Sequence, residues 1–168
     1  MEGKKPIRVL FVCLGNICRS PVAEGVFRKL VASRGLDGVV EVDSAGTGAW
    51  HVGERPDKRM SAVAADHGVY LDDMSARQLL DRDLDHFTHL FAMDKSNLHD
   101  TLYLDTGDRF GHKVRLFREF DPEPGDYQVP DPYYGGPNGF EEVYQIVERT
   151  AEVILSRLVD TYDLPAAG

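Results

Sequence analysis

Cysteine is nearly absent: the 168 residues hold two, Cys13 and Cys18. Two thiols so placed cannot make a disulfide framework. With no CxxC and no second pair they offer no zinc site, and no metal or cofactor is expected. Sparse cysteine without an oxidative staple is the usage of a reducing compartment. No apolar run approaches the roughly 18 residues of a spanning helix. The run behind the charged amino terminus, Val9 to Leu14, is too short for a signal segment. A cytoplasmic protein is therefore expected. Basic residues are outnumbered, 19 Lys and Arg against 28 Asp and Glu, for a net charge of −9. Phosphate backbones call for a basic face and anionic bilayers for a polybasic one. Neither nucleic acid nor membrane is an expected partner, and any phosphate chemistry needs a local site.

Hydrophobic residues make up 42% and charged residues 28%, close to the globular average. The length suits one domain over residues 1–168, large enough to bury roughly 70% of its unfolded surface, with 1–6 and 162–168 as loose termini. Ile7 to Val12 is a β-rich run, the pattern of a buried strand. Ser20-Pro21 reads as the cap and first position of a helix. Glu24 reads as negative charge in its first turn, and Gly35 as its stop. Further strands are expected over 39–42, 88–93 and 113–117, and further helices over 57–66, 95–104 and 140–159. His86-x2-His89 reads as a helix end and a strand start rather than a metal pair. Strands alternating with helices predict a doubly wound α/β sheet. A loop of about 20 residues, from Phe120 to Gly139, is longer than compact domains usually allow without a function.

The chemistry concentrates between the first strand and the first helix, at Cys13-Leu14-Gly15-Asn16-Ile17-Cys18-Arg19-Ser20. A loop there turns backbone N–H groups inward and makes an anion nest. Gly15 and Asn16 tolerate the left-handed backbone such a nest needs. Arg19 supplies a planar fork for two phosphate oxygens. Cys13 at the mouth, near a helix dipole and a guanidinium, is favoured as thiolate. A thiolate beside an oxyanion cradle suits attack at phosphorus. Alone, a C-x5-R spacing is weak; the strand before it and the helix start after it carry the weight. A phenolate leaving group, with pKa near 10, needs an acid. The long loop offers Asp121, Asp126 and Asp131. Asp131 is preferred because Tyr133 and Tyr134 follow it and offer a wall for a phenyl ring. Trp50, the single tryptophan, and His51 follow a loop-forming Gly46-Thr47-Gly48 and are expected at the pocket rim.

VCLGNICRSP at 12–21, DSAGT at 43–47, Trp50 with His51, MDKSN at 93–97 and DPYYGG at 131–136 resemble the low-molecular-weight protein tyrosine phosphatases over nearly the whole chain. The resemblance implies a three-layer, flavodoxin-like fold with a four-stranded parallel sheet flanked by helices. It implies a metal-independent, two-step hydrolysis of phosphotyrosine proteins through a phosphocysteine. In that reading Cys13 is the nucleophile, and Arg19 with the backbone of Leu14, Gly15, Asn16, Ile17, Cys18 and Arg19 binds phosphate. Asp131 is acid then base, and Ser20 bonds the Cys13 sulfur. Asn16 holds the loop with Ser44 in support, while Trp50, His51, Tyr133 and Tyr134 line the ring slot. A monomer is the expectation. The resemblance also implies that Cys18 can pair with Cys13 on oxidation. Many relatives carry a His before the Ala-Arg-Gln at 76–78 that supports the serine; here Met74 or Ser75 stands there. An arsenate reductase of similar loop needs cysteines further downstream, and this chain has none. A phosphoarginine phosphatase tends to carry Thr at the place of Ile17 and a less aromatic acid loop. A non-catalytic phosphotyrosine-binding module could dispense with Cys13 or Asp131. A flavin carrier on the same fold does not usually show Cys13 and the Arg19 clamp.

Overall fold

The computed structural model describes residues 5–136 and 138–165; the side chain of Tyr134 lies outside that description. Four strands, β1 (Ile7–Cys13), β2 (Val40–Gly46), β3 (His89–Ala92) and β4 (Val114–Leu116), form one parallel sheet in the order β2-β1-β3-β4. Five helices accompany them: α1 (Arg19–Ser33), α2 (Lys58–Asp66), α3 (Asp81–His86), α4 (Lys95–Tyr103) and α5 (Gly139–Tyr162).

The pleat of β1 sorts the core. Ile7, Val9 and Phe11 face a layer that includes Val22, Val26 and Phe27 of α1 and Val143, Val147 and Ile154 of α5. Leu10 and Val12 face Leu79, Leu84, Phe87 and Val114 on the other side. A strand buried on both faces reads as a continuous apolar run, which is why β1 was legible. Phe11 anchors the larger layer, its ring 5.4 Å from that of Phe27 and 5.8 Å from those of Phe91 and Phe117. The expected doubly wound α/β architecture is the one observed.

Strand order reverses on the two sides of β1, and its carboxyl end, at Cys13, opens into the crevice where such sheets place ligands.

Several local expectations are corrected. Helix α1 begins at Arg19, with Cys18 at the capping position and no side-chain cap. Ser20 lies inside the first turn because its hydroxyl is engaged by Cys13 and Asn16. Glu24 is buried one turn in, holding Ser44 and Arg28 rather than facing the helix end. Strand β2 runs on to Gly46, past the expected end at residue 42; it pairs with β1 to the end, Ser44 opposite Phe11 and Gly46 opposite Cys13. Helix α5 continues to Tyr162, so the expected tail is shorter; residues 1–4 and 166–168 lie outside the described residues. His86 ends α3 and His89 opens β3, as read.

The long loop is pinned. Asp121 is buried, and its carboxylate accepts from Arg118 Nε at 2.8 Å and from Arg149 Nε and Nη2 at 2.7 and 3.0 Å. Further along, Val129 N–H donates to the Met93 carbonyl at 2.8 Å.

Candidate active site

Residues 13–20 wrap around the sulfur of Cys13, which is 3% exposed. Asn16 N–H donates to Cys13 Sγ at 3.2 Å, and Ser20 Oγ lies 2.9 Å from the same sulfur. Asn16 has a left-handed backbone, φ 58°. Its side chain is the brace of the loop: Nδ2 donates to Ser20 Oγ at 2.8 Å and to Ser44 Oγ at 3.0 Å, and Oδ1 accepts Arg77 N–H at 3.0 Å. Gly15, expected to share the left-handed role, has negative φ. What it supplies is room, since a Cβ there would lie 2.9 Å from His51 Cδ2. Thr47 and Gly48 N–H groups hold the Cys13 and Leu14 carbonyls at 2.9 Å. The loop's carbonyls thus turn outward, toward the segment after β2.

Arg19 is 6% exposed. Its Nη1 bonds Asp94 Oδ2 at 2.8 Å and the Val129 carbonyl at 3.1 Å. Burial works against the guanidinium charge, but Cys13 and Asp94 outweigh it and hold the pKa above the ordinary value. Asp94 caps α4 through Asn97 N–H at 2.7 Å and reaches Arg19 with its other oxygen.

A cavity of about 200 Å³ lies over the sulfur, with Cys13, Arg19, Trp50, His51, Asp131 and Tyr133 among its lining. Asp131 starts the short helical turn Pro132–Tyr134, accepting Tyr133 N–H at 3.0 Å. Tyr133 OH donates to Asp57 Oδ2 at 2.8 Å, and Arg59 stacks over the Tyr133 ring at 4.9 Å. Trp50 stands 73% exposed at the rim. Its neighbour His51 is held by Glu54 at 2.8 Å. Cys18 is buried, and burial first, then Asp57, pushes its thiol up to about 12. It is therefore a neutral thiol beside the loop.

The structure brings together Cys13, Arg19, Trp50, His51, Asp131 and Tyr133, and places Asn16, Ser20 and Ser44 in one network behind the sulfur. The Tyr134 side chain falls outside the description. Of two nearby cations, Arg59 lies against the wall, while Arg55 turns away to the Asp72 and Met74 carbonyls. Ser20 Oγ is braced by Asn16 Nδ2. Among the described residues no group of three or more His, Cys, Asp or Glu is placed to hold a metal, and no helix is long and apolar enough to cross a membrane.

The family model of low molecular weight phosphotyrosine protein phosphatase matches residues 8–162. The chain belongs to this family. It is 47% identical over 162 residues to the low molecular weight protein-tyrosine-phosphatase of Streptomyces coelicolor, covering 95% of this chain and 98% of that protein. To the Schizosaccharomyces pombe low molecular weight phosphotyrosine protein phosphatase it is 48% identical over 147 residues, covering 86% and 92%. The crystal structure of YfkJ from Bacillus subtilis superposes with a TM-score of 0.88 at 38% identity, covering 96% of this chain and 99% of that one. A Drosophila arginine phosphatase superposes with a TM-score of 0.83 at 32% identity, covering 90% and 98%. The chain is thus an enzyme of the protein-tyrosine-phosphatase class of hydrolases.

Three residues of this candidate site lie in segments quoted from the sequence but were given no role there. Asp94 clamps Arg19, and Arg77 holds Asn16. Gly46 admits the loop, since a Cβ there would lie 2.8 Å from the Leu14 carbonyl oxygen. An Asp at the junction of strand and helix was the one local signal, for Asp94; the other two act through pairings remote in sequence.

Proposed function

We propose that the chain hydrolyses phosphotyrosine in protein substrates through a phosphocysteine on Cys13, as a cytoplasmic monomer and without metal. The observation that carries the reading is the convergence of Cys13, Arg19 and Asp131 on one cavity of about 200 Å³ rimmed by Trp50 and Tyr133.

The phosphoryl oxygens lie in the N–H nest, with Arg19 held against them by Asp94. The Cys13 thiolate, receiving the Asn16 N–H, attacks phosphorus in line. The S–P bond forms as the bond to the tyrosyl oxygen breaks, and Asp131 gives its proton to the departing phenolate. In the second step Asp131 takes a proton from water, the water oxygen attacks phosphorus, and the S–P bond breaks. Phosphate leaves, and the thiolate returns with Ser20 Oγ at 2.9 Å to receive its charge. Developing charge on the equatorial oxygens is met by preorganised donors. A buried sulfur under an aromatic rim favours the long arm of phosphotyrosine over phosphoserine.

The test is hydrolysis of p-nitrophenyl phosphate, a phosphotyrosine peptide and phosphoarginine in EDTA under reducing conditions. The two aryl substrates turn over, Cys13→Ser abolishes turnover, and phosphoarginine is the poorest substrate. Preferential hydrolysis of phosphoarginine overturns the substrate, and an inactive wild type overturns the reaction.

A further inference from the structure

Behind the loop, five side chains form one hydrogen-bonded line. It runs from Cys13 Sγ to Ser20 Oγ at 2.9 Å, then to Asn16 Nδ2 at 2.8 Å, to Ser44 Oγ at 3.0 Å and to Glu24 Oε1 at 2.6 Å. Glu24 is 5% exposed. Its Oε2 accepts from Arg28 Nε at 2.9 Å and also from Arg28 Nη2. On the outer side of Glu24 lies a cavity of about 530 Å³, separate from the one over the sulfur, lined also by Lys29, Asp43, Asp73, Met74 and Ser75.

The direction of each bond follows from valence. An ionised carboxylate only accepts, so Ser44 donates to Glu24 and turns a lone pair to Asn16. Arg77 N–H fixes which side of the Asn16 amide is the oxygen. Both Nδ2 protons therefore go to the two serines. Ser20, having accepted one, has its own proton left for the sulfur. Take the carboxylate away and the Ser44 proton is free to point at Asn16, against the amide proton already there.

We infer that Glu24 is a positioning residue for the nucleophile: through Ser44 and Asn16 it orders the Ser20 hydroxyl as a donor to Cys13 Sγ. The inference rests on Cys13 as nucleophile and deepens that reading with a helix residue that touches no substrate. The charged groups facing Glu24 are Arg28 and Lys29 from α1, Asp43 from β2 and Asp73 from the loop after α2. Burial raises the Glu24 pKa, with Ser44 and Arg28 opposing, so protonating Glu24 removes the ordering.

The rate of Cys13 alkylation by iodoacetamide at pH 5.5, read by peptide mass, reports the thiolate whether or not the protein hydrolyses phosphotyrosine. Glu24→Gln replaces a charge-assisted bond by a neutral one and slows alkylation about 3- to 10-fold. Ser44→Ala slows it similarly, and the double variant is no slower than the slower single, because the two act in series. Removing a carboxylate that acted by its field alone would speed alkylation. Faster alkylation, multiplicative effects in the double variant, or a lowered melting temperature with unchanged alkylation each overturns the inference. Should Glu24→Gln fail to fold, Arg28→Met leaves the carboxylate in place and removes its counter-ion, together with one bond to the Val42 carbonyl. Its alkylation rate at pH 5.5 relative to pH 7.5 falls below that of the wild type, and an unchanged ratio counts against the relay. A wild type that alkylates in this pattern yet lacks turnover sinks the phosphatase reading and leaves the relay standing.

Discussion

Asp131 gives one carboxylate oxygen, Oδ1, to Tyr133 N–H at 3.0 Å, and among the described residues its other oxygen has no protein donor. An acid that must protonate a phenolate needs such an oxygen, half-buried at the edge of the cavity. Asp131→Asn is expected to lower kcat on phenyl phosphate by about 10²- to 10³-fold. The loss is smaller on p-nitrophenyl phosphate, whose leaving group needs less help. Rates across a series of aryl phosphates check this: an unchanged dependence on leaving-group pKa assigns the acid elsewhere. Cys18 poses the opposite case. A thiol pushed up to about 12 stays protonated and is a poor nucleophile until it gives up its proton. Peroxide is expected to convert the Cys13 thiolate to sulfenic acid, and attack by the Cys18 sulfur, its proton passing to the departing oxygen, to expel water and close a disulfide. Cys18→Ser is expected to keep turnover within about twofold of the wild type while losing recovery by dithiothreitol after peroxide. Equal recovery in both proteins argues against the pairing.

The unit proposed to perform the chemistry is the loop together with the elements that clamp it, β2 through Gly46 and Ser44, and α4 through Asp94. Gly46→Ala forces a methyl group to within 2.8 Å of the Leu14 carbonyl oxygen and 3.1 Å of Asn16 N, both backbone atoms that cannot step aside alone. Displacing a phosphate cradle by a fraction of an ångström is expected to cost about 10²-fold in kcat/KM, with the circular dichroism of the fold retained. Wild-type kinetics in that variant would show the loop tolerates the shift. How well each part was legible follows from the same geometry. Strand β1, Cys13, Asn16, Arg19 and the start of α1 are contiguous, so a buried apolar run next to a Gly-Asn loop declared them. Asp131 was separable from Asp121 by its aromatic neighbours. The clamps were not legible in this way. Asp94 lies 75 positions from Arg19 and Arg77 61 from Asn16, and only the sheet order brings them together. The expected second strand stopped at residue 42, short of its polar half, because a strand that offers side chains to a site loses its apolar signature. The Ser-Pro pair suggested a cap, but a hydroxyl needed by the sulfur cannot also cap the helix.

At the scale of the molecule, Asp121 ties the long loop to α5. Burial works against its carboxylate, but Arg149, the Glu123 N–H and Arg118 prevail and hold its pKa below the usual carboxylate range. A depressed folded pKa stabilises the native state above the unfolded value, near 3.9. That stabilisation is lost as the pH falls through the folded value. Asp121→Asn is expected to lose about 3 kcal/mol near neutrality by taking the buried carboxylate from between two guanidinium groups, a fall of roughly 6–12 °C in Tm. The difference from the wild type shrinks in acid. Thermal unfolding between pH 2 and 7 checks it, and a constant difference removes Asp121 from the account.

Trp50, the single tryptophan, stands at the rim rather than in the core. Fluorescence excited selectively at the indole therefore carries no contribution from the folded interior and is poorly suited to following global unfolding. It is instead a native optical probe at the mouth of the cavity over Cys13. Phosphate, vanadate or a phosphotyrosine peptide entering there is expected to change the surroundings of the protein's one indole, so that occupancy and release could be timed by stopped flow in the unlabelled protein.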